Sequence, residues 1–363
     1  MNIGILSMQK VINFGSVLQA YSLQKMLQEC GEYNISFIDI DWSGQIPTHM
    51  PIADGDDYDY EPYLDFPKAV FYLKKIINKF CEKKIKKEIK QFQFNELKLN
   101  EHIDMEPYDL VIVGSDEVFM AKTRLCPQLY GRIKNAKHIV SYAASCGSAV
   151  FEGLPVERIS DIRKYLSNFE RMSVRDYHTL DYISKLYDKD IKMHLDPVLV
   201  GPLYKKQHSR VLSKEYLLVY AYGDRIRTKK EIRTIKEFAK EKNLLIIAVG
   251  APQYWADKSI ACSPLDLMDY FFYANCVVTD TFHGAVFSII NNKNFCVFGR
   301  KSNKFKLDGL LDVMDLKKCI VTNKRTLSQI LEQPIDYTII NAMIEKERER
   351  TYSYLKGVLE LCD

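Results

Sequence analysis

Thr279-Asp280-Thr281-Phe282-His283-Gly284-Ala285 holds the side chains best equipped for chemistry. His283 titrates in the physiological range and can give or take a proton. Residues 276–279 form a short β-branched run that reads as a buried parallel strand, and Asp280 and Thr281 are natural helix N-caps. Residues 285–290 are small or apolar, as expected of a helix packed on a sheet. The imidazole therefore stands where a strand hands over to a helix. In open α/β sheets that edge binds ligands, and helix N-termini there attract anions. A histidine that only caps or packs gives the same local pattern, so the rest of the chain must decide.

Other polar groups follow apolar runs in the same manner. Tyr108-Asp109-Leu110-Val111-Ile112-Val113-Gly114 runs into Ser115-Asp116-Glu117, and Met172-Ser173-Val174 into Arg175-Asp176. Residues 139–147 repeat the pattern with small side chains, and residues 193–197 end in Asp196-Pro197. Several strands that end in small or charged groups predict one sheet edge lining a cleft. The segment Arg300-Lys301-Ser302-Asn303-Lys304-Phe305-Lys306 follows the strand after His283. Its cations, together with helix N-termini, suit a phosphorylated or carboxylated substrate. Several classes lack their residues: there is no Walker loop, G-x-S-x-G elbow or H-E-x-x-H, and no G-x-G-x-x-G follows the first strand. Ser115 and Cys146 have no base near them in sequence, which leaves nucleophilic catalysis unsupported.

These groups need a scaffold of two domains. A chain of 363 residues exceeds one ordinary core, and the pattern of elements divides it into 1–205 and 212–330, with a helix over 336–363 packing back across both. The opening is β-α-β, with a strand at 3–6, a loop through Asn13-Phe14-Gly15-Ser16, a helix, and a strand at 35–40. A second α/β series begins at residue 216. Net charge is +4, too mild to indicate nucleic acid. Nine cysteines without C-x-x-C or paired Cys/His spacing argue against a metal, and their odd count points to a reducing compartment. No apolar run approaches the ~20 residues of a membrane span, and the N-terminus enters a strand at once instead of a signal peptide. A cytoplasmic protein is expected. Residues 54–66, with acidic side chains among tyrosines and prolines, read as a mobile loop or lid; a calcium loop would need a glycine at its sharp turn, and Gly55 does not stand there. Residues 68–92 then form a basic helix: nine lysines stand against two glutamates between 68 and 90, with apolar residues at helical spacing. Such a helix is either a solvated face or a contact for anionic lipid or a phosphorylated carrier.

The order of these motifs resembles the polysaccharide pyruvyl transferase family. The family's N-x-G-x-x-L-Q-A-Y-x-L-Q is matched at 13–24, D-x-x-I-V-G-S-D at 109–116 and S-Y-A-A-S-x-G at 141–147. S-V-R-D stands at 173–176, L-D-P at 195–197, an S-P segment at 263–268, and T-D-S-F-H-G-x-x-F-S-I at 279–289 with Thr281 in place of serine. The resemblance implies two Rossmann-like domains facing across a cleft, similar to the GT-B glycosyltransferases, with the acceptor on the N-terminal side and the donor on the C-terminal side. It implies transfer of the enolpyruvyl group of phosphoenolpyruvate onto two hydroxyls of a sugar, forming a cyclic ketal in capsular or exopolysaccharide assembly. Phosphoenolpyruvate is then a substrate, and no cofactor or metal is expected. His283 is the implied proton carrier, with Asp116 or Glu117 orienting acceptor hydroxyls or acting as second base. Arg175, Lys301, Lys304 and the turn of Thr281, Phe282 and Gly284 are the expected anion holders, and Asn13, Gly15, Ser16 and Ser115 complete the binding set. Some branches carry an arginine at the position of Thr281, and glutamine is usual at that of Glu117; Lys304 or Lys301 is expected to supply the missing charge. The acceptor is expected to be a lipid-diphosphate-linked glycan, with peripheral contact at the inner membrane face. A nucleotide-sugar glycosyltransferase and a non-catalytic binding protein are the competing readings.

Overall fold

The computed structural model describes residues 1–50, 65–99, 107–205, 208–223 and 225–362. The expected acidic loop, apart from Asp65 and Phe66, lies outside the described residues. In the N-terminal half the elements are β1 (Asn2–Leu6), α1 (Phe14–Cys30), β2 (Asn34–Phe37), β3 (Ile46–Pro47), α2 (Lys68–Asn95), β4 (Tyr108–Asp116), β5 (Arg124–Leu125) and β6 (Ala136–Ala144). They continue with α3 (Ile159–Leu166), β7 (Met172–Val174), α4 (Tyr177–Ser184), β8 (Ile191–Met193) and α5 (Pro197–Val200). Six of these strands form a parallel sheet in the order β2-β1-β4-β6-β7-β8; β3 and β5 pair separately.

The C-terminal half holds β9 (Tyr216–Tyr220), α6 (Lys229–Glu241), β10 (Leu245–Val249), β11 (Lys258–Ile260), α7 (Pro264–Phe272), β12 (Cys276–Thr279), α8 (Phe282–Ile290) and β13 (Phe295–Val297). Its parallel sheet has the order β11-β10-β9-β12-β13, followed by α9 (Lys304–Val313), α10 (Leu327–Glu332) and α11 (Tyr337–Leu359). In both sheets the order reverses beside the first strand of the half. Such a switch point leaves a crevice at the carboxyl ends of the strands. The middle strands are buried on both faces, which explains their continuous apolar runs.

One apolar cluster runs from Ile3 and Val17 through Val198 and Leu199 to Val277 and Phe287, and joins the two sheets. α5 sits at this junction, packed against both α1 and α8. α11 crosses the side away from the cleft. It begins on the C-terminal half, where Tyr337 donates to the Lys293 carbonyl (2.6 Å), and ends on the N-terminal half, where Tyr354 donates to the Ser141 carbonyl (2.8 Å).

Three local expectations need correction. Phe14, Gly15 and Ser16 open α1 and are not loop, because the Asn13 side chain accepts from the amides of Gly15 (2.8 Å) and Ser16 (3.2 Å). The strand expected across 193–197 stops at Met193, since Asp196 caps α5 and Pro197 occupies its first turn. The basic segment at 300–306 is a 3₁₀ turn leading into α9, which starts at Lys304.

Candidate active site

A cleft of about 1010 Å³ separates the two sheets. Its lining includes Asn13, Phe14 and Ser16 from α1, Asp116 and Glu117 after β4, Thr281, Phe282 and His283 at the start of α8, and Ser302, Asn303 and Lys306. The N-termini of α1 and α8 meet here, so two positive dipole ends converge on one place.

His283 is fixed from two sides. A Cβ built on Gly15 would lie 2.1 Å from His283 Nδ1, so only a glycine in the first turn of α1 lets the ring approach. From the other side, Nε2 stands 3.6 Å from Asp196 Oδ2 and makes no hydrogen bond. The turn beneath is closed by Thr281, whose Oγ1 accepts from the Gly284 amide (2.9 Å). Gly284 has no room for a side chain, because a Cβ would meet Thr279 Oγ1 at 2.0 Å. Gly15 and Gly284 thus shape the site and stand behind the groups that line it.

Asp196 connects His283 to Arg175. Its Oδ1 accepts from the Val198 amide (3.0 Å), and its Oδ2 receives Arg175 Nη1 at 2.6 Å. Burial pushes this carboxyl up, but His283 and Arg175 more than offset that and hold it at about 2. Arg175 is correspondingly held charged despite its burial, by Asp196, Asp116 and Asp176. The guanidinium lies 4.4 Å from the centre of the Phe282 ring. It is 7% exposed and lies behind Phe282, whose ring lines the cleft. Arg175 thus orders Asp196, and through it His283, from below, while its Nε and Nη2 are buried without hydrogen-bond partners.

Asp116 adopts φ +76°, and its Oδ2 accepts from Ser16 Oγ (2.7 Å), which ties the end of β4 to the first turn of α1. Glu117 makes an ion pair across the cleft with Lys306. Burial raises the Glu117 carboxyl, but Lys306 lowers it further, to about 2, so this residue is a paired carboxylate and not a free base. Phe305 stacks on His178 at 4.2 Å, and this second contact between the halves directs Lys306 into the cleft. Lys301 and Lys304 are exposed outside it, which corrects their assignment as anion holders. Ser115 is also corrected. It is fully buried and donates to the Ala143 carbonyl (3.0 Å), a bond within the sheet.

Sequence reading missed Arg225. It lines the cleft beside Tyr222, donates from Nη2 to Ser302 Oγ (3.0 Å), and has a buried Nη1 without a hydrogen-bond partner. No strand end or motif marks it in sequence; it lies in the loop after β9. Asp280, behind this group, is raised to about 6 by burial, although Arg225 and Arg300 oppose the shift. Among the described residues no group of His, Cys, Asp and Glu could hold a metal ion, and no helix is long and apolar enough to cross a membrane.

Comparison with solved structures places the architecture. Arabidopsis thaliana UGT89C1 complexed with UDP aligns over 100% of this chain and 99% of its own, at 11% identity and TM-score 0.50. The S. aureus MnaA-UDP co-structure aligns over 98% and 90%, at 12% identity and TM-score 0.46, and the glycosyltransferase SnogD from Streptomyces nogalater over 100% and 99%, at 9% and 0.42. The fold is that of the GT-B glycosyltransferases, with two Rossmann-like domains facing across a cleft. No curated protein matches the sequence. The sequence model of one family, polysaccharide pyruvyl transferase, matches residues 13–302, and this span includes α1, Asp196 and His283. The chain belongs to the polysaccharide pyruvyl transferase family and is an enzyme that transfers pyruvyl groups to glycans.

Proposed function

We propose that the donor is phosphoenolpyruvate and that its enolpyruvyl carbon is joined to two hydroxyls of one sugar as a cyclic ketal. Protonation of C3 makes C2 electrophilic, one sugar hydroxyl adds there, and a second hydroxyl displaces inorganic phosphate. Both hydroxyl protons must leave: one is gained at C3 and the other by the departing phosphate. A single group that both gives and takes protons meets that need. The observation that carries the reading is His283, held between Gly15 and Asp196 where two helix N-termini converge. The dipole ends suit the phosphate and carboxylate of the donor, and the unpartnered Nη1 of Arg225 offers a further contact. Asp116, already accepting from Ser16, is placed to receive acceptor hydroxyls. We assign the acceptor as a glycan on a lipid diphosphate, met at the cytoplasmic membrane face during capsular or exopolysaccharide assembly.

The test mixes the purified chain with phosphoenolpyruvate and a glycan acceptor, and follows phosphate release and the mass of the product. His283→Ala should lower the rate by ~10²–10⁴, the usual contribution of a general acid–base. Arg225→Ala should raise the KM for phosphoenolpyruvate with little change in kcat. Thermal stabilisation by a nucleotide sugar, with none by phosphoenolpyruvate, would overturn the proposal in favour of glycosyl transfer.

A further inference from the structure

α2 has two faces with different tasks. Toward the protein, Phe71 meets Tyr254 edge-to-face (5.2 Å) and Lys74 donates to the Ala256 carbonyl (2.9 Å), which fastens the first half to the C-terminal domain. Farther along, Phe92 packs on Tyr21 (5.4 Å) and Gln93 donates to the Gln9 carbonyl (2.8 Å), which fastens the second half to the N-terminal domain. Between these anchors Ile85 and Ile89 form part of the cleft wall. The helix is thus a strap over the cleft mouth, joined on that rim by the exposed Val11 and Ile12.

The outward face is organised just as sharply. Positions 72, 73, 76, 77 and 80 share one side of the helix, and they are Tyr72, Leu73, Ile76, Ile77 and Phe80. These five are 53–67% exposed. The same side continues through Lys83, Lys84, Lys87 and Lys90, all exposed and none ion-paired among the described residues, and ends at Phe94. Contiguous apolar surface of this kind marks an interaction site. A run of apolar turns followed by lysine turns fits a surface that is anionic outside and oily beneath.

We propose that the outward face of α2 docks the enzyme on an anionic lipid bilayer, with Leu73, Ile76, Ile77 and Phe80 among the upper acyl chains and Lys83, Lys84, Lys87 and Lys90 at the headgroup phosphates. The inner face of the same helix lines the cleft, so docking brings the cleft mouth to the membrane. This rests on the reading of the acceptor as a membrane-borne glycan.

The test is co-sedimentation of the full chain with vesicles of phosphatidylcholine alone or mixed with phosphatidylglycerol, at low and high salt, without donor or acceptor. Binding to the anionic vesicles only, weakened by salt, is expected. K83Q/K87Q should weaken it on the order of 20-fold, from about 5-fold per lysine. I76S/F80S should abolish it while leaving the melting temperature unchanged, because both side chains already face solvent. Absence of binding at low salt overturns the proposal, as does binding indifferent to both double variants. An oligomer that I76S/F80S converts to monomer, with vesicle binding intact, would assign the face to a second copy instead. Pyruvylation of a soluble glycoside needs no membrane, so its outcome judges the proposed reaction separately from the docking.

Discussion

Replacing Gly15 with alanine should separate the chemistry of this enzyme from its folding. The added Cβ would lie 2.1 Å from His283 Nδ1 and 2.3 Å from Cγ. An ordinary contact is about 3.5 Å, so the ring must retreat by about 1.4 Å, or the helix carrying Gly15 must move as far. Gly15 is helical, and alanine there favours the helix by roughly 0.5–1 kcal/mol. Overpacking opposes this by typically ~1–3 kcal/mol, reduced here because the imidazole can turn into the cleft. Net destabilisation should therefore stay below about 2 kcal/mol, a small shift in Tm for a chain of this size. Displacing a catalytic group by about 1 Å costs on the order of 10² in rate. The expected result is a fall of about 100-fold in kcat, measured as phosphate released from phosphoenolpyruvate with saturating acceptor, with the melting curve almost in place. A variant that keeps wild-type kcat would refute the claim that this contact sets the position of His283.

Asp196→Asn keeps the shape but removes the charge that Arg175 and His283 share, and should cost ~3–5 kcal/mol in denaturant titrations, as for other broken buried pairs. Because its carboxyl is lowered to about 2, its stabilisation is complete above the unfolded value near 4 and is lost as pH falls through 2; the variant should lack that acid-sensitive component. Asp280 has the opposite sign. Raised to about 6, it favours the fold fully below pH ~4 and loses that contribution as pH rises through 6, by at most ~3 kcal/mol. Asp280→Asn should flatten the stability profile between pH 4 and 7, and an unchanged slope would contradict the assignment. For the Glu117–Lys306 pair, a double-mutant cycle with Gln and Met should give a coupling of ~1–3 kcal/mol; a value near zero would show that the cross-cleft contact is idle in solution.

Much of this architecture could be read from the sequence because its parallel strands are buried on both faces and therefore appear as unbroken runs such as Leu110-Val111-Ile112-Val113 and Leu217-Leu218-Val219. The turn at His283 was legible for a related reason, since a strand, a cap and an apolar helix follow one another within a dozen residues. What escaped depends on distances that neighbouring residues do not encode. Lys304 and Lys306 are adjacent in any sequence argument, but α9 begins at Lys304 and places them about 200° apart around its axis, so only Lys306 enters the cleft. Arg175 follows a strand as an anion holder would, but its contacts with the Phe282 ring and Asp196 join segments that are distant in sequence. Asp196 was visible within L-D-P, but its link to a histidine 87 residues later, at position 283, exists only once α5 has brought the two halves together.

α11 has a consequence for how the protein is made. Its Leu355, Val358 and Leu359 are buried in the cluster that also contains Ile3 and Leu110, and the helix packs on α1 and bonds to Ser141, so the first domain receives part of its covering from a segment more than 130 residues later. Translation proceeds at about 5–20 residues per second, and a domain otherwise complete near residue 200 must wait several seconds or more for that helix to leave the ribosome. During this interval the nascent first domain carries an oily flank that only α11 can cover. A message truncated before Tyr337 would release a chain with most of its catalytic groups but with that flank permanently open, a substrate for chaperones and proteases more than for chemistry.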